Sequence, residues 1–600
     1  MSYKTPVQDI ETLLYAVGDF DKTIQSGAFD DLSNDLVSAI LEEAGKFADE
    51  NIAPMNWEGD QHGTLLNEGS VTTPPGWKEA YHAWCDAGWN SITGDVEFDG
   101  QGMPIALGMA TQDIWNSSSL AFSIGTLLTS GAVEAVSAHG SDALKQKYLP
   151  KMTSGEWTGT MNLTEPQAGS DLNFMRTKAE PQGDGSYKIS GTKIFITYGE
   201  HDMTDNIIHL VLARLPDAPA GTRGISLFLV PKFLVNDDGS LGNRNDVYCS
   251  GIEHKLGIHA SPTCTMKFGE KEGAIGWLIG EENRGLACMF TMMNNARLGV
   301  GIQGVAIAER ALQQAVRYAN ERKQGGRPDV ERTEMASIIR HPDIRRMLMD
   351  MAAKTMAARA ICYATAHSLD AAHFSKDSDN KKQAHELASL LTPIAKAFST
   401  DIGTEVASTG IQIHGGMGYI EETGAAQHLR DARICQIYEG TNGIQAIDLF
   451  MRKLPQSEGK CFENYLQQMK DKMEAGQSHN DPKISDSAKN IISALENVKI
   501  SSTQLKKLQE ENLDLALSHT TSFLRQFGLV IGSAYILQTA LYSEKNEAAA
   551  SQISWLKDLT NYAGTTFICE ANGIGALIQQ NNNAVTSADF TQWALAQETA

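Results

Sequence analysis

The spacing of apolar residues changes twice along this chain of 600 residues, and each change marks a switch in secondary structure. From Thr12 to about Gly155 apolar side chains recur at helical intervals, as in Leu32, Val37, Ile40, Leu41 and Ala44. Near Thr158 the chain turns into short β-rich runs, Tyr187-Lys188-Ile189-Ser190, Lys193-Ile194-Phe195-Ile196-Thr197, Ile207 to Leu212 and Ile225 to Val230, divided by Gly, Asp and Pro. After Gly276 the helical interval returns, from Leu286 to Glu321 and around Met347 to His367, and it persists to Leu454. Ser375 to Lys382 reads as an exposed polar loop, and Pro455-Gln456-Ser457-Glu458-Gly459 as a linker. Beyond it Ile491, Ile492, Leu495, Val498, Leu505, Leu508 and Leu515 continue the helical pattern as a separate extension. Strands and helices are segregated, not alternating, which argues against a doubly wound parallel sheet and for a multi-domain α+β fold. The expected order is an N-terminal helical domain (1–157), a small central β-barrel-like domain (158–276), a helical-bundle domain (277–454) and an extra C-terminal helical domain (455–600).

A formal charge of −23 argues against a nucleic-acid partner, whose phosphates call for excess Lys and Arg. Local arginines and backbone N–H groups can still hold an anionic cofactor. Eight scattered cysteines, with no CxxC pair and no Cys/His cluster at metal spacing, read as core thiols of a reducing, cytoplasmic setting. Met1 to Asp19 shows no targeting signal, and the apolar run from Phe527 to Tyr542 is short of the ~20 residues that cross a bilayer. It is expected to be a buried helix, with no integral membrane segment in the chain.

Four local patterns carry possible chemistry. Ile437-Tyr438-Glu439-Gly440-Thr441-Asn442-Gly443 sets one carboxylate on a glycine turn. A carboxylate shielded from water at such a turn can abstract a proton, but the same run also reads as an ordinary helix start capped by Thr441. Gly299-Val300-Gly301-Ile302-Gln303-Gly304 fits G-x-G-x-x-G, yet both flanks read as helix, so close helix packing is the better reading. The loop Met161 to Asp171 can aim hydroxyls and N–H groups at a polar ring or phosphate, and is equally a surface turn. His254 and His259, lacking a third ligand, read as structural.

Taken in order, the Met161 to Asp171 loop, Lys193 to Thr197, Asn320-Glu321-Arg322-Lys323-Gln324-Gly325, Ile411 to Gly418 and Tyr438 to Thr441 resemble the acyl-CoA dehydrogenase family over roughly residues 50 to 455. The layout is most similar to its long, 3-methylmercaptopropionyl-CoA type. The resemblance implies an FAD-dependent α,β-dehydrogenation of an acyl-CoA, with Glu439 as α-proton base, on that thioester or another short or medium one. It implies cofactor contacts from Leu163, Thr164, Ser170, Phe195, Thr197, Arg322, Gln324, Gln412, Gly416 and Thr441. It also implies substrate or supporting roles for Ser170, Arg297, Tyr438 and Gly440, a homodimer or homotetramer that shares FAD between subunits, and an electron-transferring flavoprotein as acceptor. An acyl-CoA oxidase or a non-catalytic flavoprotein of the same fold are the alternatives. Three positions depart from the family: Phe195 where Trp is common, Gly325 where Phe is common and Asn294 where Asp is common.

Overall fold

In a computed structural model, residues 3–18, 20–29, 32–326, 335–546, 551–580 and 582–593 are described. They fall into two compact units: Met1–Glu11, Asp21–Leu348 and Ile402–Gly440 form the first, and Thr12–Phe20, Met349–Asp401 and Thr441–Ala600 the second.

The first unit begins with helices whose starts are set by side-chain caps. Ser33 caps Asn34–Phe47, Ser119 caps Leu120–His139 and Ser141 caps Asp142–Thr153, each hydroxyl accepting an otherwise unpaired N–H of the first turn. Val37, Leu41 and Ala44 line one buried stripe of the first, as their spacing requires. A two-stranded hairpin, Leu65–Asn67 with Ser70–Thr72, interrupts this helical stretch; its strands are too short to show a period.

The β-sheet lies in the order Val247–Ile252, Thr263–Phe268, Ser186–Thr197, Ala274–Ile279, Ser226–Pro231, Asn206–Ala213, Trp157–Asn162. All pairings along it are antiparallel except the last, where Trp157–Asn162 runs parallel to Asn206–Ala213. The runs at Tyr187 and Lys193 are one strand. Its first half pairs with Ala274–Trp277 and its second with Thr263–Phe268, so the sheet curls where the partner changes. Both faces are covered. Ile208, Leu210 and Leu212 enter one core with Leu128, Ala132 and Met292, while Val211 and Ala213 enter another with Ile189 and Phe268. That two-sided burial is why the strand reads as a continuous apolar run.

Helix Gly285–Glu321 spans 37 residues, about 55 Å at 1.5 Å per residue. The segment Gly299 to Gly304 lies wholly inside it, and a side chain at Gly299 would meet Leu127 at 2.6 Å. The expected packing role holds: a Cβ on Gly403 would come within 2.7 Å of the Gly304 carbonyl. Helix Leu120–His139 is, among the described residues, the one long and apolar enough to cross a membrane; most of its residues are buried in the first unit.

In the second unit, Ser378 to Lys382 is exposed as expected but already helical, opening the 37-residue helix Ser378–His414. Pro455 to Gly459 is no open linker. Its turn Gln456–Gly459 is tied down by Gln456 Nε2 on Ser389 Oγ at 2.9 Å and Ser457 Oγ on Glu386 at 2.6 Å. The run from Phe527 to Tyr542 lies in helix Thr520–Ser543, buried nearly all round. Its Gly528 and Gly532 take Phe398 and Ala357 against the backbone. Five cysteines are core thiols, whereas Cys85 and Cys461 are half-buried and Cys569 is exposed.

Candidate active site

The Tyr438 to Gly440 turn ends the first unit. Glu439 and Gly440 are consecutive residues in the left-handed region, at φ +55° and +83°. Glycine adopts this freely and glutamate does not, so the turn must be held by its neighbours. Three anchors precede it. Arg430 grips Asp60 through both terminal nitrogens at 3.0 and 2.6 Å, and Asp431 accepts from the Ile258 N–H at 2.5 Å. Burial, helped by the charge of Asp60, pushes the Asp431 carboxyl up to about 6. Gln314, on the long helix, bonds His428 at 2.7 Å and the Thr423 carbonyl at 2.6 Å. Finally the Tyr438 hydroxyl donates to Gln303 Oε1.

A second cluster stands on the sheet. Leu163 and Thr164 are brought onto the strand that carries Phe195 and Thr197 by Lys193 Nζ to the Leu163 carbonyl, 2.9 Å, and Ile194 N to the Thr164 carbonyl, 3.0 Å. The latter bond is a backbone one, joining the loop to the strand edge. Lys193 is fully buried and pairs with Glu165 Oε1 at 3.0 Å. Glu165 also accepts from the N–H groups of Arg176 and Thr177 and from the Thr177 hydroxyl. Burial alone would raise this carboxyl, but the Lys193 charge and these donors outweigh it and bring it down to about 2. Burial draws the Lys193 ammonium down to about 8, with Glu165 opposing. Phe195 is itself left-handed, at φ +61°, and 59% exposed. Ser170 is exposed on the same loop.

A third group gathers where two long helices end. Tyr318 stacks on His414 at 4.3 Å between centroids, and the Arg322 N–H donates to the Tyr318 carbonyl at 2.8 Å where the long helix ends. Arg322 Nη2 lies 3.5 Å from Gln324 Oε1. Gln324 and Gly325 are fixed by backbone pairing to Ala336 and by His341 on the Gln324 carbonyl, 2.8 Å, so the missing Phe at Gly325 does not leave this strip loose. Arg297 lies on the long helix with its guanidinium over Phe290, 5.7 Å from the centroid. His259 is structural, its ring nitrogens facing Asp60 and the Lys255 carbonyl.

Three family models match in chain order: "Acyl-CoA dehydrogenase, N-terminal domain" over residues 35–156, "middle domain" over 160–270 and "C-terminal domain" over 283–454. The chain is also 48% identical to the 3-methylmercaptopropionyl-CoA dehydrogenase of Ruegeria pomeroyi over 467 residues, 78% of this chain and 79% of that one. This chain belongs to the acyl-CoA dehydrogenase family. Among solved structures it is similar in fold to Caenorhabditis elegans ACDH-11 in complex with C11-CoA, with a TM-score of 0.77, 20% identity and coverage of 94% of this chain and 91% of that one. It is likewise similar to a Bacillus anthracis acyl-CoA dehydrogenase complexed with FAD, with a TM-score of 0.74, 22% identity and the same coverage. The family models stop at residue 454, but coverage of 94% reaches well into the extension, so these folds share it.

For an acyl-CoA dehydrogenase, one support of this site was missed in the sequence. Gln303 sits in an apolar, glycine-rich run that hides its amide. Asn442, in the second unit, lies beside Thr441, which does cap helix Asn442–Asp448 through Oγ1 and the Ile444 N–H at 3.4 Å. Its side chain accepts from Lys396 Nζ at 2.8 Å and donates to Thr400 Oγ1 at 3.0 Å and Asp401 Oδ1 at 2.7 Å. Asn442→Ala should cost about 1–3 kcal/mol by leaving these polar groups short of a partner. A lower melting midpoint for the variant checks this.

Proposed function

We propose that this acyl-CoA dehydrogenase uses FAD to oxidise a short acyl-CoA across its α,β bond, with Glu439 as the base and 3-methylmercaptopropionyl-CoA as the first substrate to try. The observation that carries the reading is the strained Glu439–Gly440 turn, a carboxylate on a left-handed backbone next to Tyr438, whose hydroxyl is held by Gln303.

The residues fit a flavin. Phe195 offers an exposed aromatic face on a strained backbone, next to Leu163 and Thr164, and this suits the flat apolar side of an isoalloxazine. Arg322 is an exposed cation, and Gly416 has open space where a side chain would stand, which suits a phosphate-bearing chain. A homodimer or homotetramer that shares FAD between its subunits is part of this reading. Bound FAD supplies the acceptor for the hydride that leaves the β-carbon.

The chain's own residues do the remainder. Glu439 removes the α-proton, and its backbone N–H donates to the thioester carbonyl, where negative charge develops as the proton leaves. Gly440, lacking a Cβ, lets the thioester approach the turn. Arg297 closes the site near the base, and Ser170 and Thr197 take polar edges of cofactor or substrate. Thr441 adds a cofactor contact beside its capping bond. An electron-transferring flavoprotein would be the acceptor of the two electrons. A cytoplasmic setting is part of this reading, supported by five buried thiols.

Anaerobic addition of a thioester panel to the purified yellow protein tests the proposal. A short methylthio or straight-chain acyl-CoA should bleach the flavin, with the 2-enoyl-CoA as product. Colourless protein, or no bleaching by any thioester, would count for a non-catalytic relative. Stoichiometric hydrogen peroxide in air would make it an oxidase.

A further inference from the structure

The segment Gly299 to Gly304 packs as small residues do, except at Gln303. This glutamine is 0% exposed, in the interior of the first unit. Its Oε1 accepts the Tyr438 hydroxyl and lies 3.9 Å from Cys435 Sγ. Its Nε2 is buried with no hydrogen-bond partner among the described residues. An unpaired buried NH2 is a net cost to stability, so packing alone would be better served by an apolar side chain.

The helix offers a second reason. Gln314 lies 11 residues further on, about three turns, and so on the same face. It holds His428 and the Thr423 carbonyl, while Gln303 holds Tyr438. One helix face thus grips the base-bearing segment at two points, and the second point is the residue next to Glu439. A left-handed glutamate relaxes to another conformation unless its neighbour is fixed.

We propose that Gln303 is a positioning residue for the base: by holding the Tyr438 hydroxyl it fixes the Glu439–Gly440 turn against helix Gly285–Glu321. This rests on the reading of Glu439 as the base. The carboxylate and the Glu439 N–H would keep their orientation through this bond, so its loss acts on the chemical step and not on acyl-CoA binding.

The test compares Gln303→Leu, Tyr438→Phe and the double variant as FAD-loaded full chains, with the thioester that bleaches the native flavin fastest. Each single change should lower kcat about 10- to 100-fold with KM within about threefold of native. The double variant should be no slower than the worse single, because both remove one bond. Multiplying losses, a native kcat in Tyr438→Phe, or a change confined to KM would overturn the proposal. If Gln303→Leu does not retain flavin, Tyr438→Phe decides by the same kcat and KM criteria. Glu439→Gln run in parallel separates the two readings. An inactive Glu439→Gln beside native-like Gln303 and Tyr438 variants removes only the positioning role, whereas an active Glu439→Gln removes the base itself.

Discussion

Glu439→Gln should lower kcat by about 10²- to 10⁴-fold while FAD and acyl-CoA remain bound, because the amide keeps the side chain's shape and cannot accept the α-proton. kcat and kcat/KM should fall together, since the lost interaction belongs to the transition state. Flavin absorbance reports retained cofactor, its perturbation on adding acyl-CoA reports binding, and stopped-flow bleaching reports the chemistry. Turnover near native would remove Glu439 from the mechanism. A companion change separates chemistry from strain. Glu439 holds a left-handed backbone that costs an L-residue roughly 1–2 kcal/mol and a glycine little. Glu439→Gly should therefore be as inactive as Glu439→Gln yet melt no lower than the native protein. A site that sacrifices backbone energy to hold one carboxylate is better explained by function than by folding.

What could be read from the residues was whatever repeats or lies close in sequence. The switch from helical to short β runs near Thr158, and back after Gly276, located the sheet because period reports which face is buried. Four strands were named before the structure, but Ser190-Gly191 looked like a break. It is not one, because the strand stays extended there while its partner changes from Ala274–Trp277 to Thr263–Phe268. No local signal reports a change of partner. Ser378 to Lys382 misled for the opposite reason: a charged first turn of a helix has a loop's composition. The Tyr438 to Thr441 turn was legible as a motif, and its cap reading holds, since Thr441 caps the next helix. The supports of the site stayed hidden. Gln303 and Tyr438 stand 135 residues apart and Lys193 and Glu165 stand 28 apart, and only the folded chain brings such pairs together.

The buried Lys193–Glu165 pair carries the second large effect, on stability and cofactor retention. Lys193→Met should destabilise the protein by about 3–5 kcal/mol, because it leaves the Glu165 carboxylate, 3% exposed, without its countercharge. The exposed pair of Lys460 and Glu458, at 70% and 85%, gives the contrast: Lys460→Met should cost about 0–1 kcal/mol. The larger loss falls on the loop that carries Leu163, Thr164 and Ser170, because Lys193 also holds the Leu163 carbonyl. FAD should accordingly leave the Lys193→Met protein at a lower temperature than the native one. The pH dependence has a definite sign. Glu165 titrates at about 2 in the fold and at about 4.5 when free, so as pH falls the unfolded chain takes up this proton first. The stabilisation from Glu165 is complete above about 4.5 and is lost as pH falls towards about 2. Removing the Lys193 charge raises the folded Glu165 towards its ordinary value or beyond it, since burial then acts with less opposition. Acid release of FAD should therefore begin at higher pH in Lys193→Met than in the native protein, and flavin fluorescence followed from pH 7 downward, about one unit at a time, measures both onsets. Equal onsets would mean that the buried pair does not hold the cofactor loop.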